Sequence, residues 1–299
     1  MTEASTTNRG IVLAAYGRGA LVSSGAETVH CGLIGRKLHL VCGDRVTWGR
    51  LPSADGPTVL AVEPRRNCLE RIDARGRAEA VAANIDRLAI VVAVEPEPDW
   101  FLVDRYWAGA LQQDVETVLI VNKSDLDAAS IAEELGNYRR LGLRCVEVAS
   151  RSGAGLDELR RVLGERATLF VGQSGVGKST LVNVLVPQAA AQTAELTRDR
   201  EGRHTTSTAR WYRLGPDWGI IDAPGVRDFA PPPRLARAAE RAFVEILDVG
   251  GGCRFNDCRH FDEPGCAVRA AVEEQRIRPR RYESYRRLVR LYEALGARR

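Results

Sequence analysis

The chain has 299 residues, of which 44% are apolar and 27% charged, with a net charge of +4. This length suits two or three domains with buried cores, and the composition excludes a disordered or low-complexity chain. No apolar run is long enough to span a bilayer, and residues 1–8 lack the basic-then-apolar pattern of a secretory signal, so a cytoplasmic protein without membrane contact is expected.

The modest positive charge supports nucleic-acid contact only weakly. Arginines gather before residue 70 and again after residue 276, and on charge alone a solvated face is the favoured reading. Lysine occurs only as Lys37, Lys123 and Lys178, and two of these fall in the motifs below. In an arginine-rich chain, such lysines point to chemistry that a guanidinium does not perform.

In chain order, short strands are predicted at residues 11–13, 28–31, 37–41, 45–48 and 58–62, separated by turn residues such as Gly43-Asp44. Five such strands suggest a small closed barrel. The OB fold leads, while an SH3-like barrel or a sandwich fragment fits the same pattern. From residue 84 the pattern changes to alternating strands (88–94, 118–121, 145–148, 168–171) and helices (100–112, 131–141, 156–163). This alternation predicts a parallel sheet with helices on both faces. After residue 231, apolar residues at helical spacing predict helices around 235–246 and 285–295.

Gly172-Gln173-Ser174-Gly175-Val176-Gly177-Lys178-Ser179-Thr180 fits the phosphate-loop pattern, between an apolar strand and a predicted helix at 179–185. Its glycines allow backbone N–H groups to turn around a β-phosphate at a helix N-terminus. Lys178 is expected to reach the β- and γ-oxygens, and Ser179 to ligate Mg²⁺.

Asn122-Lys123-Ser124-Asp125 follows the strand at 118–121. The Asp125 carboxylate can accept from both guanine N1–H and the exocyclic amine, a donor pair that adenine lacks. Asn122 and Lys123 would brace the loop. As a bare tetrapeptide this is also an ordinary surface turn, and the phosphate loop in the same chain gives it weight. Its carboxylate disfavours an ATP-using kinase or ATPase. In the loop after the next strand, a backbone N–H at Ser150 could contact guanine O6.

Asp222-Ala223-Pro224-Gly225 ends a short apolar strand and has the D-x-x-G form. Asp222 would hold Mg²⁺ through water and the Gly225 N–H would sense the γ-phosphate. Between these motifs, Thr206 (in preference to Thr205) could complete the Mg²⁺ shell. Val226 stands where many GTPases carry a water-orienting glutamine. His204 is therefore a candidate catalytic group, with simple packing in its loop as the equal alternative.

Seven cysteines are present. Cys31, Cys42, Cys68 and Cys145 sit among apolar residues and read as buried small hydrophobes. Cys253, Cys258, His260 and Cys266 offer three thiolates and one imidazole, a closed set for structural Zn²⁺.

Together, Gly43-Asp44-Arg45-Val46, the NKSD motif placed before GQSGVGKST, the GRHTT of residues 202–206, the DAPGVRDF of residues 222–229 and the Cys-Cys-His-Cys cluster resemble the RsgA family of ribosome small subunit-dependent GTPases. The resemblance covers nearly the whole chain. It implies a multidomain fold: an N-terminal OB-fold β-barrel, a central α/β P-loop GTPase domain in circularly permuted order, and a C-terminal helical zinc-binding domain. The boundaries expected are a disordered stretch at 1–8, the RNA-binding barrel at 9–72, the GTPase domain at 73–230 and the zinc domain at 231–299. The resemblance further implies a monomer that binds GTP, GDP, the small ribosomal subunit and its 16S rRNA. Such a protein acts late in subunit assembly, with hydrolysis stimulated by the subunit, and the family resemblance favours His204 as catalytic. The alternative is an RNA-binding assembly factor in which nucleotide is mainly a structural ligand. Because the D-x-x-G segment leads straight into the C-terminal domain, that domain is expected to respond first to γ-phosphate loss.

Overall fold

The computed structural model describes residues 7–25, 27–34, 38–52, 54–72, 77–187, 209–223 and 240–296. Five strands form the N-terminal barrel: β1 (Asn8–Tyr16), β2 (Gly19–Ser24), β3 (Glu27–Leu33), β4 (Arg45–Arg50) and β5 (Pro57–Val62). They run in the order β1-β2-β3-β5-β4, and β4 pairs back onto β1. Closure with a parallel β3–β5 contact gives the OB form and rules out a sandwich fragment. Val12, Ala20, Val22, Cys31, Val46 and Val59 fill the interior.

The strand expected at 37–41 is not seen among the described residues 38–41, and β2 takes its place in the barrel. The reason lies in Asp44, a fully buried carboxylate. It accepts the Val41 N–H at 2.8 Å, a turn bond where a strand would need a ladder bond. Arg65 neutralises it through Nε and Nη2 at 2.7 and 2.9 Å. A hairpin of β6 (Cys68–Ile72) and β7 (Ala78–Ala83) follows, so the boundary expected at residue 72 falls inside this hairpin.

The second part of the sheet comprises β8 (Arg87–Ala93), β9 (Glu116–Asn122), β10 (Arg144–Glu147), β11 (Ala167–Val171), β12 (Arg210–Arg213) and β13 (Gly219–Asp222). Their order is β10-β9-β8-β11-β13-β12, parallel throughout except for the β12 edge. Helices α1 (Trp100–Leu111) and α2 (Ala129–Arg140) cover one face, and α3 (Leu156–Leu163) and α4 (Lys178–Leu185) the other. The alternation within β8 shows why its run is continuously apolar. Leu88, Ile90 and Val92 enter the first core, and Ala89, Val91 and Ala93 the second.

The edge strand β12, absent from the sequence prediction, also pairs with β1 through Ala14 and Arg210. The barrel and the α/β sheet thus form one sheet of 11 strands. Arg213 reinforces the joint by donating to the Gly25 carbonyl at 2.7 Å.

The C-terminal part contains a 3-10 turn (Glu240–Ala242) and helices α5 (Val244–Gly250), α6 (Ala267–Glu273) and α7 (Pro279–Gly296). The helix expected at 235–246 begins outside the described residues. Within them, Ala242 lies in the turn and regular helix starts at Val244. Phe243, Ile246, Val268, Tyr285, Leu288 and Tyr292 form a small core closed by Ala108 of α1. A buried ionic joint on Asp104 of α1 fastens α7 to α1 and α2. The C-terminal part is therefore docked on the half of the sheet that carries the NKSD motif. Among the described residues no helix is long and apolar enough to cross a membrane.

Candidate nucleotide site and metal centre

The phosphate loop links β11 to α4. Gly172 and Gly177 take φ of +140° and +89°. A Cβ at Gly172 would collide with the Val91 carbonyl, and one at Gly177 with the Asn122 side-chain amide, so both positions require glycine. Val176 is fully buried and anchors the loop, while Ser174, Gly175, Ser179 and Thr180 are exposed at its mouth. Gly177 caps α4 without a side-chain bond, which leaves the first-turn N–H groups to a ligand. The Lys178 ammonium lies across the loop, donating to the Gly172 and Gln173 carbonyls at 2.7 and 2.6 Å.

Asn122 ends β9 and is 1% exposed. Its Nδ2 donates to the Val176 carbonyl at 2.9 Å, and its Oδ1 accepts the Ser150 N–H at 3.2 Å. One buried amide therefore ties together the phosphate loop, the NKSD turn and the loop after β10. Lys123 has φ of +58°, and its Nζ donates to the carbonyls of Glu95 and Gly175 at 2.7 and 2.9 Å. The Ser124 N–H is held by the Val148 carbonyl at 3.1 Å. Asp125 is exposed on the same turn, where a base could meet its carboxylate.

Ser150, expected to meet guanine O6 through its backbone, has its N–H on Asn122 Oδ1 at 3.2 Å. The neighbouring Ala149 N–H bonds to the Ala154 carbonyl at 2.9 Å.

Asp222 sits at the end of β13, opposite Phe170 of β11 and Arg210 of β12. Burial raises its carboxyl above the ordinary range, and the nearby Lys178 and Arg210 charges pull it back in part. His204, Thr206 and Gly225 lie outside the described residues, as do Thr205 and Val226.

Sequence reasoning missed the segment that roofs this site. After β8 the chain passes through Glu95-Pro96-Glu97-Pro98-Asp99 before α1. Gln173 of the phosphate loop accepts the Asp99 N–H at 2.8 Å and donates to the Glu97 carbonyl at 3.3 Å. Asp99 in turn caps α1 through the Leu102 N–H at 3.0 Å. A proline-rich run between a buried strand and an N-capped helix was the available signal.

The cysteine cluster is assembled as expected. Cys253 Sγ lies 3.5 Å from His260 Nδ1 and 3.9 Å from Cys266 Sγ, and Cys266 Sγ is 3.6 Å from His260 Nδ1. All four ligand atoms, including that of Cys258, lie within 4.8 Å of one another. A tetrahedral zinc site with bonds of about 2.3 Å to sulfur and 2.0–2.1 Å to nitrogen has edges of about 3.5–3.8 Å. The separations among Cys253, His260 and Cys266 match these edges, and the donor set suits such an ion in softness. Tyr282 and Tyr285 of α7 hold the loop by donating to the carbonyls of His260 and Arg259 at 2.6 and 3.3 Å. Of the other cysteines, Cys31 and Cys42 are buried as expected, whereas Cys68 and Cys145 are partly exposed.

Strand order and motif placement define a P-loop GTPase whose base-reading strands precede its phosphate loop, the circularly permuted arrangement, between a closed barrel and a Cys₃His domain. The family model described as RsgA GTPase matches residues 62–231. The small ribosomal subunit biogenesis GTPase RsgA of Azotobacter vinelandii is 41% identical over 290 residues, covering 94% of this chain and 84% of its own. The protein of the same name from Chromohalobacter salexigens is 41% identical over 291 residues, covering 94% and 85%. The chain belongs to the RsgA GTPase family. Among solved structures, YjeQ from Thermotoga maritima superposes with a TM-score of 0.70 at 28% identity, covering 98% of this chain and all of that one. YloQ, described as a circularly permuted GTPase, shares the fold with a TM-score of 0.68 at 21% identity over 98% of each chain.

Proposed function

We propose that this chain hydrolyses GTP to GDP and phosphate on the small ribosomal subunit late in its assembly, with the subunit stimulating hydrolysis. The observation that carries the reading is the Asn122 brace, which sets a guanine-reading turn and a phosphate loop as two walls of one site. In this reading Asp125 selects guanine. Gly172, Gln173, Ser174, Gly175, Val176, Gly177 and Thr180 shape the phosphate cradle, and Lys178 neutralises the β- and γ-oxygens. Ser179, Thr206 and Asp222 hold Mg²⁺, which supplies charge neutralisation on the transferring phosphoryl group. Gly225 senses the γ-phosphate, and His204 acts on the attacking water.

Cys253, Cys258, His260 and Cys266 hold one structural Zn²⁺. The barrel and the basic C-terminal helix face 16S rRNA, the protein works as a cytoplasmic monomer, and the domains divide near residues 9 and 231, with the β6–β7 hairpin between the barrel and the GTPase domain. Support for the partner comes from the names of relatives that match across nearly the whole chain. The test is GTP turnover by the full chain with and without purified small subunits. Stimulation supports the reading. Equal slow turnover in both arms replaces it with an RNA-binding assembly factor whose nucleotide is structural.

A further inference from the structure

The nucleotide site and the metal cluster are connected through two helices, α1 and α7, with hydrogen bonds joining α1 to the phosphate loop, α1 to α7, and α7 to the metal loop. The connection starts at Gln173, which grips Asp99 and Glu97 at the head of α1. Further along α1, Asp104 is 1% exposed and accepts three donors. These are Arg281 Nη1 at 2.5 Å, Arg280 Nη1 at 2.9 Å and the Tyr138 hydroxyl at 2.6 Å. Arg281 is fully buried on α7. Its remaining donors go to Glu245 at 2.7 Å and to the Ala242 carbonyl at 2.6 Å. From α7, Tyr282 and Tyr285 reach the carbonyls of His260 and Arg259 in the metal loop.

Two guanidiniums share this one carboxylate, and its pair with Arg281, closed off from water on both sides, cannot slide by degrees, while Arg280 is 26% exposed at the rim. In a low-dielectric setting, losing one partner strands a charge, so the joint is either made or broken. Asp104 touches neither ligand, yet it joins α1 to Arg280 and Arg281 of α7, with Tyr138 of α2 on the same carboxylate.

We propose that Asp104 is a positioning residue that makes the phosphate loop and the metal loop one mechanical unit, so that nucleotide binding and metal retention strengthen each other. The inference rests on the reading of these two loops as a GDP site and a zinc site. Thermodynamic linkage then requires reciprocity. GDP must raise the zinc affinity by the same factor by which zinc raises the GDP affinity.

The test uses the full chain. Zinc affinity is measured by competition with a chromogenic chelator, with and without saturating GDP, and GDP affinity by calorimetry on zinc-loaded and zinc-free protein. In the native sequence each affinity should change on the order of fivefold or more with the other ligand. Asp104→Asn should still bind zinc and GDP singly, with the coupling factor close to one. Tyr138→Phe, which removes only a hydroxyl, should lower the factor and carries the test if Asp104→Asn does not fold. A purely structural role would lower melting temperature without changing this factor. Native protein that binds both ligands with a factor of one overturns the coupling, as does an undiminished factor in Tyr138→Phe. Native protein that fails to bind GDP or zinc at all overturns the underlying site reading instead.

Discussion

Asn122→Ala is the sharpest perturbation of the nucleotide site, because a single side chain joins its three loops. The substitution removes the donor to Val176 and the acceptor of the Ser150 N–H. Both partners lie in closed surroundings, with Val176 fully buried and Ser150 8% exposed. Each stranded backbone group costs about 1–3 kcal/mol. Partial solvent access at Ser150 puts the total at about 2–4 kcal/mol. For a chain of this size that corresponds to a melting temperature about 3–6 °C lower. If about half of the cost appears as lost preorganisation, GDP binding weakens about 5- to 30-fold. Differential scanning calorimetry and isothermal titration with GDP measure the two effects on the same preparation. Asn122→Asp should be worse, since a carboxylate would face the Val176 carbonyl. A melting temperature within about 1 °C of the native chain together with GDP affinity within about twofold would refute the brace.

Asp125→Asn should move nucleotide preference from GTP toward XTP in competition binding, and an unchanged GTP preference counts against the assigned base contact. Asp222→Asn should abolish GTP turnover yet melt at an equal or higher temperature at neutral pH. Burial raises the folded carboxyl pKa, so the charged form opposes folding above that pKa, and the penalty fades as pH falls through it. The advantage of Asp222→Asn should therefore shrink toward acid pH, and a lower melting temperature at neutral pH contradicts the burial argument. Stripping metal from the cysteine cluster should raise hydrogen exchange across residues 253–266, which have little core of their own, while β8 and β11 stay protected. Unchanged exchange there would mean that the loop holds without a metal.

The chemistry was legible in the sequence wherever it depends on local spacing. A phosphate loop needs glycines at fixed intervals before a lysine, and a closed zinc set needs four soft donors within one short loop. The strands 88–94 and 118–121 were legible because burial on both faces leaves an unbroken apolar run. By contrast, β12 carries only Arg210-Trp211-Tyr212-Arg213, too short to show a period. It is a strand because β13 and β1 supply its ladder partners. Residues 38–41 misled in the other direction, since their alternation resembles a strand but Asp44 takes the Val41 N–H. The Gln173–Asp99 contact was equally invisible, because its partners are far apart in the chain and nothing in either residue names the other.

Motif order illustrates the division most clearly. The sequence alone establishes that the base-reading turn precedes the phosphate loop and that the Asp222 segment leads directly into the C-terminal domain. From covalent order, that domain is the natural first responder to γ-phosphate loss. Tertiary contacts add neighbours that covalent order does not show. The C-terminal domain is also fixed to α1 through the buried Asp104–Arg281 pair. The barrel pairs with β12, whose other neighbour is the strand that ends at Asp222. Chain order settles which groups are neighbours along the backbone. Which bodies move together is decided by buried charge and shared ladders between distant residues, and these exist only once the chain has folded.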